Sequence, residues 1–155
     1  MVLPLLASAS IEPLATRLAA RDGKYTDFPD VLAVGDTPGK HGFAILCPQP
    51  VSGPTVTITA LERHPHSTQS FVPIRVARWV VVLAPTLADS SPDMANVRAY
   101  LAGPEDAICI GRNVWHAGLT VLDGAAEFAM MMWRASAGDD GIVHNLTTPL
   151  TLSID

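Results

Sequence analysis

From residue 43 to residue 134 the chain runs in short stretches of strand character punctuated by turn residues, and in some of them apolar positions alternate with polar ones, as Val56 and Ile58 do. A period near two argues for half-buried strands. Eight such runs stand out: Phe43 to Cys47, Thr55 to Ala60, Gln69 to Ile74, Trp79 to Ala84, Val97 to Leu101, Ala107 to Ile110, Gly118 to Leu122 and Glu127 to Arg134. Together they predict an all-β barrel or jelly roll built of two packed antiparallel sheets. Ahead of them, Ile11, Leu14, Ala15, Leu18 and Ala19 repeat at helical spacing, with Ser10 placed to cap and Gly23 to stop, and this predicts one outer helix from Ile11 to Ala20. Tyr25 to His41 has no sustained period and reads as a long irregular connection, either a lid or simple packing.

Two runs are apolar on both faces, Trp79 to Ala84 and Phe128 to Trp133. A strand of that kind must be covered twice, so a homodimer is expected. The methionines of the second run, Met130 to Met132, read as core or interface filling.

The 155 residues fit one domain, 1–155, long enough to bury a core without disulfides. A net charge of -5 with only 10 scattered Lys and Arg gives no basic face, so no nucleic-acid partner is expected. A hydrophobic content of 48% opposes disorder. No apolar run approaches the roughly 18 residues of a membrane span, so a soluble protein without a membrane partner is expected. Cys47 and Cys109 are too far apart in sequence for a metal-ligand spacing and read as buried free thiols. The N-terminal stretch lacks a positive region ahead of its apolar residues and is broken by Pro4, so a cytoplasmic location is expected.

Between two of the apolar runs lies a dense polar segment, Leu61 to Pro73, which carries two of the five histidines, His64 and His66. Glu62, His64 and Gln69 can bring a carboxylate, an imidazole and an amide to one cavity, a set suited to a metal or to acid/base work. Arg112-Asn113-Val114-Trp115-His116 offers a second imidazole. The plain alternative is a pair of buried histidines satisfied by backbone partners. His66 reads as a loop residue, although His64-Pro65-His66 is also a two-histidine ligand spacing. Arg63, between two residues that would face the pocket, would point away from it in a regular strand. His41 and His144 lie in irregular stretches.

Glu62-x-His64-x4-Gln69 followed by a distant His116 resembles the cupin pattern, in which a His-x-His-x3-4-Glu group and a later histidine surround a metal. Glu62 then stands at the first histidine, His64 at the second, Gln69 at the glutamate and His116 at the last. The likeness is closer still to the ureidoglycolate lyase family. It is carried by Leu61-Glu62-Arg63-His64-Pro65, Thr68-Gln69, Phe71-Val72-Pro73, Arg112-Asn113-Val114-Trp115-His116 and Leu119, with Gln49-Pro50 and Val97-Arg98-Ala99 also similar. The chain departs from the family at several places: Ala117 and Gly118 follow His116, and Ile110, Val76 and Trp133 stand where a tyrosine, a glycine and an acidic residue are usual.

The resemblance implies a cupin double-stranded β-helix and cleavage of a carbon–nitrogen bond in ureidoglycolate, giving glyoxylate and urea, a step of allantoin degradation in purine catabolism. It implies His64, His116 and Glu62 as catalytic groups, with Arg63, Gln69, Arg112, Trp115 and Arg134 around the substrate. No cofactor is fixed by the sequence; a divalent metal ion held by Glu62, His64, Gln69 and His116 is the candidate. The departures leave two alternatives open: a lyase or isomerase acting on another small polar acid, or a non-catalytic cupin that binds a small ligand.

Overall fold

The computed structural model describes residues 3–34, 37–136 and 140–154. Its strands are β1 (Ala15–Arg17), β2 (Gly39–Leu46), β3 (Pro50–Val51), β4 (Thr55–Arg63), β5 (Gln69–Arg75), β6 (Arg78–Ala84), β7 (Arg98–Ala102), β8 (Ile108–Ile110), β9 (Trp115–His116), β10 (Thr120–Leu122), β11 (Glu127–Ala135) and β12 (Ile142–Ser153). Each of the eight runs is a strand, with boundaries moved by four residues at most. Among the described residues the helical pieces are 3-10 turns of three or four residues, and no helix is long and apolar enough to cross a membrane.

The strands form two sheets, one in the order β1-β8-β5-β11-β2, the other β12-β4-β9-β6-β10-β3 with β7 on the free edge of β6. The named pairings are antiparallel except β3 with β10, where Val121 pairs with Pro50 and Leu122 with Val51 in parallel. A core fills the space between the sheets, from Phe71, Ile108, Ile110, Phe128, Met130 and Met132 on one side and Trp79, Val81, Leu83 and Val121 on the other. A second core covers the opposite face of the larger sheet, where Val80, Val82, Ala84, Leu61 and Trp115 pack with Leu3, Leu152 and Ile154. The two apolar faces of β6 are therefore both covered within one chain, and this strand gives no reason for a dimer. The outer face of β11 is different: Met131 pairs with Phe43 and Ala129 with Ile45 on β2, an edge strand where Phe43 and Ile45 stay 67% and 50% exposed.

The expected helix from Ile11 to Ala20 is absent. One turn closes, with the N–H groups of Leu14 and Ala15 donating to the Ile11 carbonyl, and the chain then extends into β1. Ala15 to Arg17 pair with Ile110 to Ile108, which covers an edge of β8 that would otherwise present unpaired backbone. Ile11, Leu14 and Ala15 are buried as the helical reading required, but against the inter-sheet core and in another conformation. Pro13, which lacks an N–H, adds a further obstacle to a continuing helix.

The Tyr25 to His41 connection is fastened to the turn that follows β4. Thr68 donates its N–H to the Ala33 carbonyl at 3.2 Å and its hydroxyl to the Val31 carbonyl at 2.8 Å, while Thr37 and His66 share a hydrogen bond at 3.1 Å. Gly35 and Asp36 of this connection, and Met1 and Val2 of the N-terminal stretch, lie outside the described residues.

Candidate active site

The site begins with a slip in the pleat of β4. Val56 and Ile58 belong to the outer core of the larger sheet, and so does Leu61, so the alternation changes phase between Ile58 and Leu61. The pairing with β12 is irregular at the same place, where Asn145 opposes Ala60 but Leu150 opposes Ile58. Such a bulge re-aims the residues beyond it. Here it turns Leu61 and Arg63 outward and leaves Glu62 on the inner face, in register with His116 on β9. His116 is also in register with Leu83, whose side chain lies in the inter-sheet core.

His64 follows directly and faces His116, with ring centroids 5.3 Å apart and planes tilted by 41°. Donor atoms of Glu62, His64 and His116 all lie within 4.8 Å of one another. Both histidines are buried, at 6% and 1% exposure, while Glu62 is half-buried at the mouth of the group.

Backbone carbonyls set the proton positions. His64 Nδ1 is hydrogen-bonded to the Asp140 carbonyl and His116 Nδ1 to the Val114 carbonyl at 3.0 Å. A carbonyl only accepts, so each ring carries its proton on Nδ1 and, when neutral, a lone pair on Nε2. Among the described residues neither Nε2 has a hydrogen-bond partner. The His116 Nε2 lies 3.5 Å from a Glu62 carboxylate oxygen, at ion-pair range rather than in a hydrogen bond. Two facing lone pairs repel, so this contact is favourable only with a positive charge present, either a proton on the ring or a cation between the groups. The Glu62 carboxyl is held below its ordinary range, chiefly by His116, with burial opposing and the charges of His116 and His64 assisting.

Gln69 comes from β5 in the other sheet. Its neighbours in register are Ile110 and Met132, its amide donates to Met132 Sδ at 3.6 Å, and its Oε1 is buried without a partner. Arg63 does not join the cluster. It is buried on the far face, donates to Asn113 Oδ1, and stacks over Trp115 with its guanidinium carbon 5.1 Å from the ring centroid. Trp115 shares that face and meets His144 at 5.7 Å. Arg112 is exposed and reaches the Val34 and Pro65 carbonyls at 3.4 Å. Arg134 continues the inward alternation of Phe128, Met130 and Met132 and lies over Gly42, where an added Cβ would come within 2.7 Å of Arg134 Nε. His66 is engaged with Thr37 and is not in the group.

A match to the ureidoglycolate lyase family runs over residues 15–153. The chain belongs to that family. A relative from Agrobacterium fabrum, provisionally named a ureidoglycolate lyase, is 34% identical over 97 residues, covering 63% of this chain and 60% of the relative. A ureidoglycolate lyase of Escherichia coli is 40% identical over 80 residues, covering 52% and 48%. The chain thus matches about half to three-fifths of the length of these ureidoglycolate lyase relatives. Among solved structures, a dTDP sugar isomerase from Desulfovibrio desulfuricans overlaps 85% of this chain and 80% of its own, with 20% identity and a TM-score of 0.47, too low to bear on the assignment.

Asp140 was not among the residues singled out in the sequence, yet its carbonyl fixes His64. The signal was the alternation of Leu146, Leu150 and Leu152 after Gly141, which marks β12; Pro149 within it obscures the strand.

Proposed function

We propose that this chain cleaves the carbon–nitrogen bond of a small hemiaminal carboxylate, ureidoglycolate being the first candidate, and that its sandwich is a cupin double-stranded β-helix. One observation carries the reading: two buried histidines face each other with ring centroids 5.3 Å apart, each with an Nε2 that has no hydrogen-bond partner among the described residues, beside a half-buried carboxylate. The reaction needs a base for the hydroxyl proton and an acid for the departing nitrogen. As the O–H proton leaves, its electrons form the carbonyl of glyoxylate, the C–N bond breaks, and the nitrogen takes a proton to give urea. His64, whose Nε2 has no partner, suits the base. His116, whose Nε2 lies 3.5 Å from a Glu62 carboxylate oxygen, suits the acid. Arg134, which continues the inner face of β11 beyond Met132, is the candidate for the substrate carboxylate, and Gln69 Oε1 is the candidate to accept from a urea N–H.

The three donor atoms also fit a divalent cation: two imidazole nitrogens with carbonyl-fixed tautomers and one carboxylate oxygen, with Gln69 as a further oxygen. Bound there, such an ion would polarise the substrate oxygen as a Lewis acid. Holding an ion would occupy the lone pairs needed for proton transfer, so the two uses exclude one another. Racemic ureidoglycolate, supplied to the pure protein with a chelator and with added divalent ions, tests the reading. Release of urea and glyoxylate in either arm supports it, and the arm that is active chooses between the two uses; release in neither overturns it.

A second reading, a different small acid as substrate, has its own support. Ile110 is buried in register with Gln69, and Met132 contacts the Gln69 amide, so the interior wall beside the cluster is apolar. Trp133, by contrast, alternates outward and meets His41 at 5.1 Å, and so does not plug the site. Turnover of other 2-hydroxy acids exceeding that of ureidoglycolate would favour this second reading.

A further inference from the structure

We propose that Asp140 is a positioning residue, which keeps the His64 lone pair aimed into the site by holding both the ring and the turn that carries it. The proposal rests on the reading of His64 as a functional group. The Asp140 carbonyl accepts from His64 Nδ1. Its carboxylate, 7% exposed with the rest of the residue, accepts from the His66 N–H at 2.8 Å and from the Ser67 hydroxyl at 2.6 Å. One residue therefore grips the ring of His64 and the two positions two and three places beyond it, across a separation of 76 residues in the chain.

A buried carboxylate is costly unless its oxygens are satisfied. Among the described residues no Lys, Arg or His is ion-paired with this one; its hydrogen bonds go to the turn alone. The arrangement thus depends on the turn, and the turn depends on it. The two carboxylate bonds to the turn keep the Asp140 carbonyl against His64; released from them the carbonyl would drift from the ring, and nothing would hold the His64 proton on Nδ1. A proton on Nε2 would take the lone pair out of the site, which removes both a base and a ligand atom. β12, which follows Asp140 after Gly141, pairs Val143 with Glu62, so the same segment also sets the carboxylate of the cluster.

His116 supplies an internal control, because its carbonyl partner is Val114 and not Asp140. The test is ring-nitrogen NMR of both histidines in the full chain at one pH, for the wild type, Asp140→Ala, Asp140→Asn and Ser67→Ala, together with calorimetry of Zn2+ alone. In the wild type both Nδ1 atoms are expected to carry the proton. Asp140→Ala should move His64 toward the Nε2–H form, leave His116 unchanged, and weaken Zn2+ binding about 10–100-fold. Asp140→Asn and Ser67→Ala should fall between. A residue that only adds stability would lower the melting temperature and leave the His64 tautomer as it was. That result in folded Asp140→Ala overturns the proposal, and if this variant does not fold, an unchanged tautomer in both milder variants does so. Failure of the wild type to bind Zn2+ would count against the metal use of the site, while the tautomer readout still decides the role of Asp140.

Discussion

His64 and His116 approach to 5.3 Å between ring centroids, each with Nδ1 engaged by a main-chain carbonyl and Nε2 without a hydrogen-bond partner among the described residues. Replacing either with alanine should slow turnover by about a hundredfold or more. Because both rings are buried and each substitution strips a carbonyl of its donor, stability should fall as well, by about 1–3 kcal/mol. For a chain of this size that is roughly 2–4 °C of melting temperature per kcal/mol. Turnover measured well below the melting transition of each variant checks this, and undiminished turnover in either removes that histidine from the mechanism.

Glu62 gives the site an acid limit. Its folded carboxyl titrates below the ordinary 4.5, so the stabilisation it supplies is complete above that pH and is lost as the pH falls through the lower folded value. Glu62→Gln should flatten the fall in stability below about pH 4.5. Denaturant midpoints of both proteins from pH 3 to pH 7 would show it; parallel curves would mean that the pairing with His116 contributes nothing.

Gly39 and Gly42 should behave differently although both lie on β2. A Cβ at Gly39 would come within 2.3 Å of the Arg134 carbonyl and 2.8 Å of the Trp133 ring, and backbone cannot step aside. Gly39→Ala should therefore destabilise the fold by about 1–3 kcal/mol. At Gly42 the obstacle is the Arg134 side chain, which can move. Gly42→Ala should keep the melting temperature and, if Arg134 holds the substrate carboxylate, raise KM with little change in kcat.

A homodimer, if formed, should use the outer face of β2 and β11. Phe43, Ile45 and, on β5, Ile74 remain at least half exposed there. Phe43→Ser with Ile45→Thr should then yield a monomer by light scattering at micromolar concentration, where the wild type is a dimer. A wild-type monomer under the same conditions would remove the dimer.

Short apolar runs between turn residues were enough to reveal the eight central strands, by alternation where one face is exposed and by length and β-branched content where, as in β6, both faces are buried. Pattern reading failed at the N-terminus, where Ile11, Leu14 and Ala15 are buried by pairing along β8 rather than by a helical stripe. It failed again at β12, whose irregular pairing and Pro149 break the pattern. Glu62, His64 and His116 were legible from type and spacing, and the structure brings them together. Arg63 and Trp115 were harder, since which face they take depends on the phase slip in β4. Asp140 acts through a main-chain carbonyl, and any residue type carries one, so its identity held no hint of that contact.

The placement of β12 bears on when the protein becomes competent during synthesis. Glu62 and His64 leave the ribosome early, but the strand that registers Glu62 and the carbonyl that orients His64 arrive some 76 residues later. Contacts of such long sequence separation form slowly, since loop closure precedes any return from them. The smaller sheet and much of the inter-sheet packing can assemble from residues before position 136, with the larger sheet still open along β4. A nascent chain at that stage would carry the ring of His64 free to rotate, while His116 already has its Val114 carbonyl. Acquisition of activity should therefore lag behind acquisition of β structure in refolding, and the interval between the two measures the docking of the last strand.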